Sequence, residues 1–493
     1  MRRWLIIIGL LLALWGSRIA ALDCLPLHND EGLHLQRAEK VWDGHPFWEI
    51  GDGKVINHWP VALLYPQGNP VYAGRMATVL VAMIGLAAGY ALVERQAGKY
   101  AAIIAAALWI ASPYLFFFER LALSDAEAGA LIVVAVWAAV LLIERGRRRY
   151  AVLAGLALAA AALFKLTAAP FALTVALIVL FGGSISWRQR TLALVIIGGV
   201  VVICFAVPVT YLLVTGRDFG VAFAWIDPGG QSGGGLALGD NLARLWDQLT
   251  GFGTLFWVGL LLSGLLILSI RLAAQTESQA RRMGALVVVG GCVPVLIMAV
   301  FGHDVRPRHY VAGLPLVLLL AGWGWGRHIA DRRRHAWPLT AFVLGMLAVG
   351  IVPFARAAYH DPGDMRLSAE LRAEYITGHS AGFGLREAVL AFPKTIGAPG
   401  LPVVASMFPD SCKRANFYDT VGYDMVCPTA PGLTEIKAAL AQSGTVYVLA
   451  ERPPIGLRFE QTDLPASRIS GYPRPGETEE TASVVLWRVS NKE

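Results

Sequence analysis

Eleven apolar runs, most of them long enough to cross a bilayer, leave this chain few ways to fold. They lie at roughly 4–22, 71–93, 101–118, 125–143, 151–164, 170–182, 191–214, 252–270, 283–301, 310–326 and 337–354. In lipid, every backbone N–H and C=O must be satisfied within the protein, so runs of this kind read as helices. Composition agrees: 56% of the residues are hydrophobic and only 16% are charged, too few charges to cover a surface that faces water on all sides. Five cysteines are too few for a disulfide-built scaffold, and the apolar content excludes disorder. The sequence therefore predicts a mainly α, polytopic helical membrane protein with about eleven spans. The first run follows Arg2 and Arg3 like a signal peptide, but no small-residue cleavage site comes after it, so it is read as an anchor. Between the two shortest runs, Lys165–Ala169 reads as a tight hairpin ended by Pro170.

The distribution of charge gives an orientation. Residues 1–354 hold 28 of the 42 Lys and Arg but 19 of the 35 Asp and Glu, so the net charge of +7 belongs to the membrane part. No soluble face combines basic and aromatic residues, and no nucleic-acid partner is expected. With the N-terminus cytoplasmic, Arg2, Arg3 and the loops Glu94–Lys99, Glu144–Arg149, Trp187–Arg190, Arg271–Arg282 and Arg327–His335 hold 17 basic residues against four acids. Basic loops translocate poorly. An odd helix count then places everything after Pro353 outside, in an inner or plasma membrane protein whose site faces the extracytoplasmic side.

Two domains follow: a transmembrane domain over 1–354 and a soluble α/β domain over 355–493. In the latter Val403–Met407, Thr445–Ala450 and Ser483–Val489 read as strands and Leu433–Gln442 as a helix. Cys412 and Cys427 are either a disulfide or two buried thiols. The outer loop 23–70 carries Leu35, Ala38, Val41 and Trp42 at helical spacing, which predicts a short amphipathic helix lying on the membrane. The outer loop 215–251 has Gly229, Gly230, Gly233, Gly234 and Gly235 around Gln231 and Ser232, the composition of a flap. No phosphate-binding glycine loop of a nucleotide-driven pump is present in the sequence.

Ionisable residues at the ends of membrane helices are costly unless paired, hydrated or in use. Four groups stand out: His28-Asn29-Asp30-Glu31, Glu119-Arg120 with Ser124-Asp125, Lys165 in an apolar setting, and His303-Asp304 with Arg306, Arg308, His309 and Tyr310. Each has a bland explanation. Asn29 or Asp30 could cap a helix, as could Ser124 or Asp125; Arg120 and Lys165 could reach the headgroups. Together they gather carboxylates and cations on one membrane face, where cations suit a phosphate and a carboxylate suits removal of a hydroxyl proton.

The order of these features resembles a known family. An acidic pair follows helix one, Arg75 lies early in helix two, and Ser112-Pro113 stands near the end of helix three. Glu119, Arg120 and Asp125 follow, then Lys165, an Arg-x-Arg-His-Tyr segment and a soluble α/β tail. This resembles the GT-C glycosyltransferases that use polyprenyl-phosphate sugars, in particular the protein O-mannosyltransferase and lipid A aminoarabinose transferase group. The resemblance implies a GT-C-like fold and a glycosyltransferase moving a hexosyl or pentosyl group, with inversion, to an envelope lipid, glycan or protein. It implies catalytic roles for Asp30, Glu31 and Asp125, with Asp30 as the base. It also implies lipid-phosphate contacts from Lys165, Arg306, Arg308, Arg75, Arg120 and Tyr310. The paired prolines common in the family before helix two are replaced here by His58-Trp59-Pro60 and Tyr65-Pro66.

His28, His34, His45 and His58 share the first loop with several acids, which leaves room for a divalent metal as cofactor, although structural-zinc patterns are absent from the sequence. Two other function classes compete: a carrier or flippase for a lipid-linked substrate, and a non-catalytic envelope scaffold. Against a carrier stand the one-sided charges and the lack of a visible inverted repeat in the sequence.

Overall fold

The structure, a computed structural model, describes residues 2–47, 53–64, 69–182, 185–216, 238–274, 278–301, 307–397, 402–418, 422–452 and 458–491. Each apolar run lies on helix. Helix α1 (Arg2–Ile19) precedes α2 (Asn29–Trp42), α3 (Trp59–Leu64) and α4 (Pro70–Ala97). The third run is not continuous: it breaks into α5 (Lys99–Ile110) and α6 (Pro113–Phe118). Pro113 has no N–H to carry the ladder onward, and the Ser112 hydroxyl restarts it by accepting the Leu115 N–H at 3.3 Å. Helices α7 (Ser124–Arg145) and α8 (Arg148–Phe164) follow, then a 3-10 turn, Leu166–Phe171, and α9 (Ala172–Phe181). Pro170 sits inside that turn and does not end it.

Next come α10 (Trp187–Val214), α11 (Leu238–Phe252), α12 (Leu255–Ala274) and α13 (Ser278–Phe301). A 3-10 turn, Pro307–Ala312, leads into α14 (Leu314–Asp331) and α15 (Ala336–His360). The second outer loop thus ends in a helix, α11; its glycine cluster lies outside the described residues. Helices α4, α7, α10, α12 and α15 are long and apolar enough to cross a membrane. The chain is an integral membrane protein.

Burial distinguishes the helices. Of the apolar window of α7, 89% is buried inside the protein, against 17% for α10, so α7 is central and α10 faces lipid. Small residues set the close crossings, as expected where lipid tails give no hydrophobic drive between helices. A β-carbon added at Gly322 or Gly326 of α14 would collide with the backbone of Ala105 or Ala101 on α5, and one at Gly324 with Gly264 on α12. Alternating glycines thus let one helix approach two neighbours.

The chain divides into two compact units. The first comprises residues 1–22, 37–65 and 73–356; the second comprises residues 23–36, 66–72 and 357–493. Within the second lie α16 (Ala369–Arg372), α17 (Leu385–Thr395), α18 (Pro409–Ala415) and α19 (Thr434–Ser443), with strands β1 (Val403–Ser406), β2 (Asp424–Val426), β3 (Thr445–Glu451), β4 (Ala466–Tyr472) and β5 (Val484–Ser490). The sheet runs β2-β1-β3-β5-β4, its first three strands mutually parallel and the last two antiparallel to their neighbours. Alternation along β1 and β3 fills both faces: Val404 and Leu449 pack with Leu385, Val389 and Phe392 of α17, while Ala405, Val446 and Val448 pack with Ile436 and Leu440 of α19. A disulfide joins Cys412 and Cys427, whose Cα atoms are 5.4 Å apart.

Candidate functional site

In the first unit, the end of α8 carries the site. Beyond Phe164 the backbone turns extended at Lys165 (φ −155°, ψ 120°), and residues 53–56 run alongside. The Val55 N–H donates to the Leu163 carbonyl at 2.7 Å, and the Leu166 N–H to the Gly53 carbonyl at 3.2 Å. This pairing brings Lys54 beside Lys165. The Lys165 ammonium forms an ion pair with the Asp125 carboxylate on the first turn of α7, both side chains buried. Neither the snorkelling expected as the bland reading of Lys165 nor a cap by Ser124 or Asp125 is seen: α7 has Leu123 at its N-cap and no side-chain cap.

The 3-10 turn Pro307–Ala312 packs on α7 and contributes Arg308, half-buried. The seat for that turn is Gly129, one helical turn beyond Asp125, where a β-carbon would lie 3.1 Å from the Ala312 carbonyl oxygen and from Pro315. Arg308 and Lys54 are both close enough to Lys165 to repel its charge. An anion placed among three such cations relieves their mutual repulsion, and in a buried setting that relief is large. Arg306 lies outside the described residues. Replacing Gly129 with Val should displace the Arg308 turn at a cost of about 1–3 kcal/mol. Phosphate binding to the purified variant, compared with Gly129→Ala, measures the displacement, and the Val variant should bind more weakly.

The other expected phosphate contacts among the described residues make hydrogen bonds within the protein. Arg120 clamps the end of α1: its guanidinium donates to the carbonyls of Ala20 at 2.6 Å, Ala21 at 2.7 Å and Arg18 at 3.0 Å, supplying acceptor-rich helix-end groups with donors. Arg75, fully buried, donates to the Leu22 carbonyl at 2.7 Å. The Tyr310 hydroxyl donates to the Asn241 carbonyl at 3.2 Å and so ties the turn to α11. Glu119 pairs with Arg18 at 2.8 Å and accepts the Trp109 indole N–H at 2.6 Å, both ions buried. These four side chains build the scaffold around the cations.

Asp30 and Glu31 belong to the second unit. There α2 begins at Asn29, and its cap is His28, whose ring Nδ1 accepts the Asp30 N–H at 3.2 Å while Glu31 accepts the His28 N–H at 3.1 Å. The capping expected of Asn29 or Asp30 thus falls to their neighbour. Asp30 is half-buried on the first turn. The soluble fold of the same unit grips this turn. The Asn29 N–H donates to the Ser380 carbonyl at 3.0 Å, the His28 ring lies 4.5 Å from that of Tyr375, and Tyr418 accepts the Leu27 N–H at 2.8 Å. Arg414 holds the Ala381 carbonyl at 2.8 Å, and a β-carbon at Gly32 would meet its Cγ at 3.0 Å. Leu35 and Ala38, expected on a membrane-lying face, are buried. Of the loop histidines, His58 faces the Pro46 carbonyl at 3.0 Å. Among the described residues, no three His, Cys, Asp or Glu side chains gather in a way that could hold a metal ion.

Lys54 was not singled out from the sequence. It is the only Lys or Arg between Lys40 and Arg75, a signal that its position in an acid-bearing outer loop could have raised.

Residues 59–211 match the sequence model of the dolichyl-phosphate-mannose-protein mannosyltransferase family. No curated protein matches the chain. The chain is similar to the crystal structure of ArnT from Cupriavidus metallidurans in the apo state, with a TM-score of 0.62 and 15% identity over 99% of this chain and 98% of that one. It is similar as well to ArnT from the same organism bound to undecaprenyl phosphate, with a TM-score of 0.63 and 15% identity over 98% and 97% of the two chains. The chain therefore has an ArnT-like GT-C fold, and within it a stretch from α3 into α10 carries the sequence pattern of the dolichyl-phosphate-mannose-protein mannosyltransferases.

Proposed function

We propose that this protein is a membrane glycosyltransferase that moves a hexosyl or pentosyl group from a polyprenyl-phosphate donor to an envelope acceptor, on the extracytoplasmic side. The observation that carries the reading is the gathering of Lys54 and Arg308 about Lys165 and its buried partner Asp125. The ArnT fold supports it, since one of those structures holds undecaprenyl phosphate.

In this reading the acceptor oxygen attacks the anomeric carbon while the carbon–oxygen bond to the phosphate breaks, and configuration inverts. The acceptor proton passes to the Asp30 carboxylate. The bond electrons leave with the phosphate, whose charge rises from one to two. Cations that bind the dianion more strongly than the monoanion lower the barrier, because their attraction grows along the reaction coordinate. Asp125 keeps Lys165 charged and aimed. Glu31 shapes the turn that presents Asp30 and touches no reacting atom.

Purified protein in vesicles with a labelled undecaprenyl-phosphate sugar and an envelope extract tests this. Transfer releases undecaprenyl phosphate and moves the label to an acceptor. A donor that crosses the bilayer intact, or one left unconsumed in every extract, would overturn the proposal.

A further inference from the structure

The second unit contains a cleft of about 760 Å³ to which the transfer chemistry assigns no part. All of its lining residues belong to that unit. They come from the chain just after α1, from the start of α4, from the first turns of α17 and from the turn after α18.

Three of its polar side chains are fixed in place. Arg386 donates to the Cys24 carbonyl at 2.6 Å and, through Nε and Nη2, to one oxygen of Glu387 at 2.9 and 2.7 Å. The other Glu387 oxygen accepts the Gly384 N–H at 2.6 Å. Asn69 caps α4 by accepting the Val71 N–H at 3.0 Å. Such groups need little rearrangement to meet a ligand.

The lining chemistry selects the ligand class. Asp23, Glu387 and Arg386 are the charged members, so carboxylates outnumber cations and an anionic headgroup is disfavoured. A purely apolar ligand would strip water from amides and carboxylates without replacing its hydrogen bonds. Carboxylate and amide oxygens accept hydroxyl protons, while Phe417 adds an aromatic ring on which C–H groups can pack. That combination fits a polyhydroxylated ring, and the volume falls within the roughly 300–1,000 Å³ of small-molecule sites. The walls begin close in sequence to two apolar helices: Asp23 lies just past Ile19, the end of α1, and Pro70 opens α4. Leu390 adds an exposed apolar group to the lining. Tyr418, also in the lining, holds the Leu27 N–H on the turn that leads to Asp30.

We infer that this cleft binds the saccharide of a lipid-anchored acceptor, neutral or amino-bearing. The inference rests on the glycosyltransferase reading and names the acceptor class for it. Saturation-transfer NMR on the full-length protein in nanodiscs tests it, with chitotriose, its de-N-acetylated form, maltotriose, the lauryl glycoside of each, a tripeptide and inorganic phosphate as probes. Saturation should reach the ring protons of at least one trisaccharide, more strongly in its lauryl glycoside. Phe417→Ala and Asn416→Leu, the latter removing a lining amide, should each weaken that binding by about tenfold while undecaprenyl phosphate binds as to the wild type. No saccharide binding, binding unchanged in both variants, or preference for the tripeptide or phosphate would overturn the inference. Failure of the wild type to bind undecaprenyl phosphate would instead count against the glycosyltransferase reading, whatever the saccharides do.

Discussion

Replacing Asp30 by alanine should lower sugar transfer by about 100- to 10,000-fold, the usual cost of removing a general base, while leaving undecaprenyl phosphate binding intact. The turn around Asp30 is held by groups other than its carboxylate. Glu31 accepts the His28 N–H, Ser380 accepts the Asn29 N–H, and the His28 ring caps the turn by accepting the Asp30 N–H at 3.2 Å. Loss of activity in a folded Asp30→Ala protein therefore reports chemistry. Glu31→Gln is the matched control: a glutamine oxygen still accepts the His28 N–H, so turnover should fall only slightly. Single-turnover transfer from a labelled donor measures both. Near-normal turnover in Asp30→Ala, or a greater loss in Glu31→Gln than in Asp30→Ala, would remove Asp30 as the base.

The second large effect lies in the soluble fold. Glu451, fully buried at the end of β3, accepts from Arg414 at 2.8 Å and Arg474 at 2.9 Å and bonds the Ser411 hydroxyl. Glu451→Ala leaves two guanidinium groups facing each other without their shared acid, at a cost of about 3–5 kcal/mol. Amide exchange in β3 and β5 of the full-length protein should accelerate accordingly. Because Arg414 also holds the 379–381 carbonyls against the Asp30 turn, transfer should fall with it.

Acid should act on the same network. Burial pushes the Glu451 carboxyl up, but Arg414, His379 and Arg474 outweigh it, and the group titrates below its ordinary value of 4.5. The folded state therefore binds fewer protons there than the unfolded chain. Its contribution is complete above about pH 4.5 and is lost as pH falls further. Burial, opposed by Glu451 and aided by Arg414 and Arg474, holds the His379 imidazole below its ordinary 6.5. Its contribution is likewise complete above that value and declines below it. Protection of the sheet amides, taken relative to their intrinsic exchange at each pH, should thus fall from near pH 6.5 downward, and His379→Gln should remove the upper part of that response while leaving the lower.

The helices were legible because lipid leaves an apolar run no alternative; the break at Ser112-Pro113 was not, because the run stays apolar across it and only the donor that proline lacks marks the interruption. Strands β1, β3 and β5 show continuous apolar runs. β2 has only three residues, none of them buried, and β4 carries Ser467, Arg468 and Ser470 around an irregularity in its pairing, so neither offers a hydrophobic pattern to read. At the site, cost identified Asp125 and Lys165 separately, since a charge in an apolar setting demands a reason. Their pairing, 40 residues apart in sequence, could not be read from either. Lys54 was hidden for a related reason: its place depends on backbone hydrogen bonds between residues 53–56 and 163–166. Arg120 shows why a single charge is hard to read from sequence: a guanidinium at a helix end satisfies carbonyls as readily as phosphate.

The central claim is that Lys54, Lys165 and Arg308 together grip the lipid phosphate. Undecaprenyl phosphate titrated onto the wild type, Lys54→Met, Lys165→Met, Arg308→Met and the charge-balanced Lys165→Met/Asp125→Asn pair tests it most directly. The account predicts that every variant weakens binding by about tenfold or more, the worth of one charge-assisted hydrogen bond. The charge-balanced pair should keep its fold and still lose the ligand. Wild-type affinity in the three single variants would contradict the account.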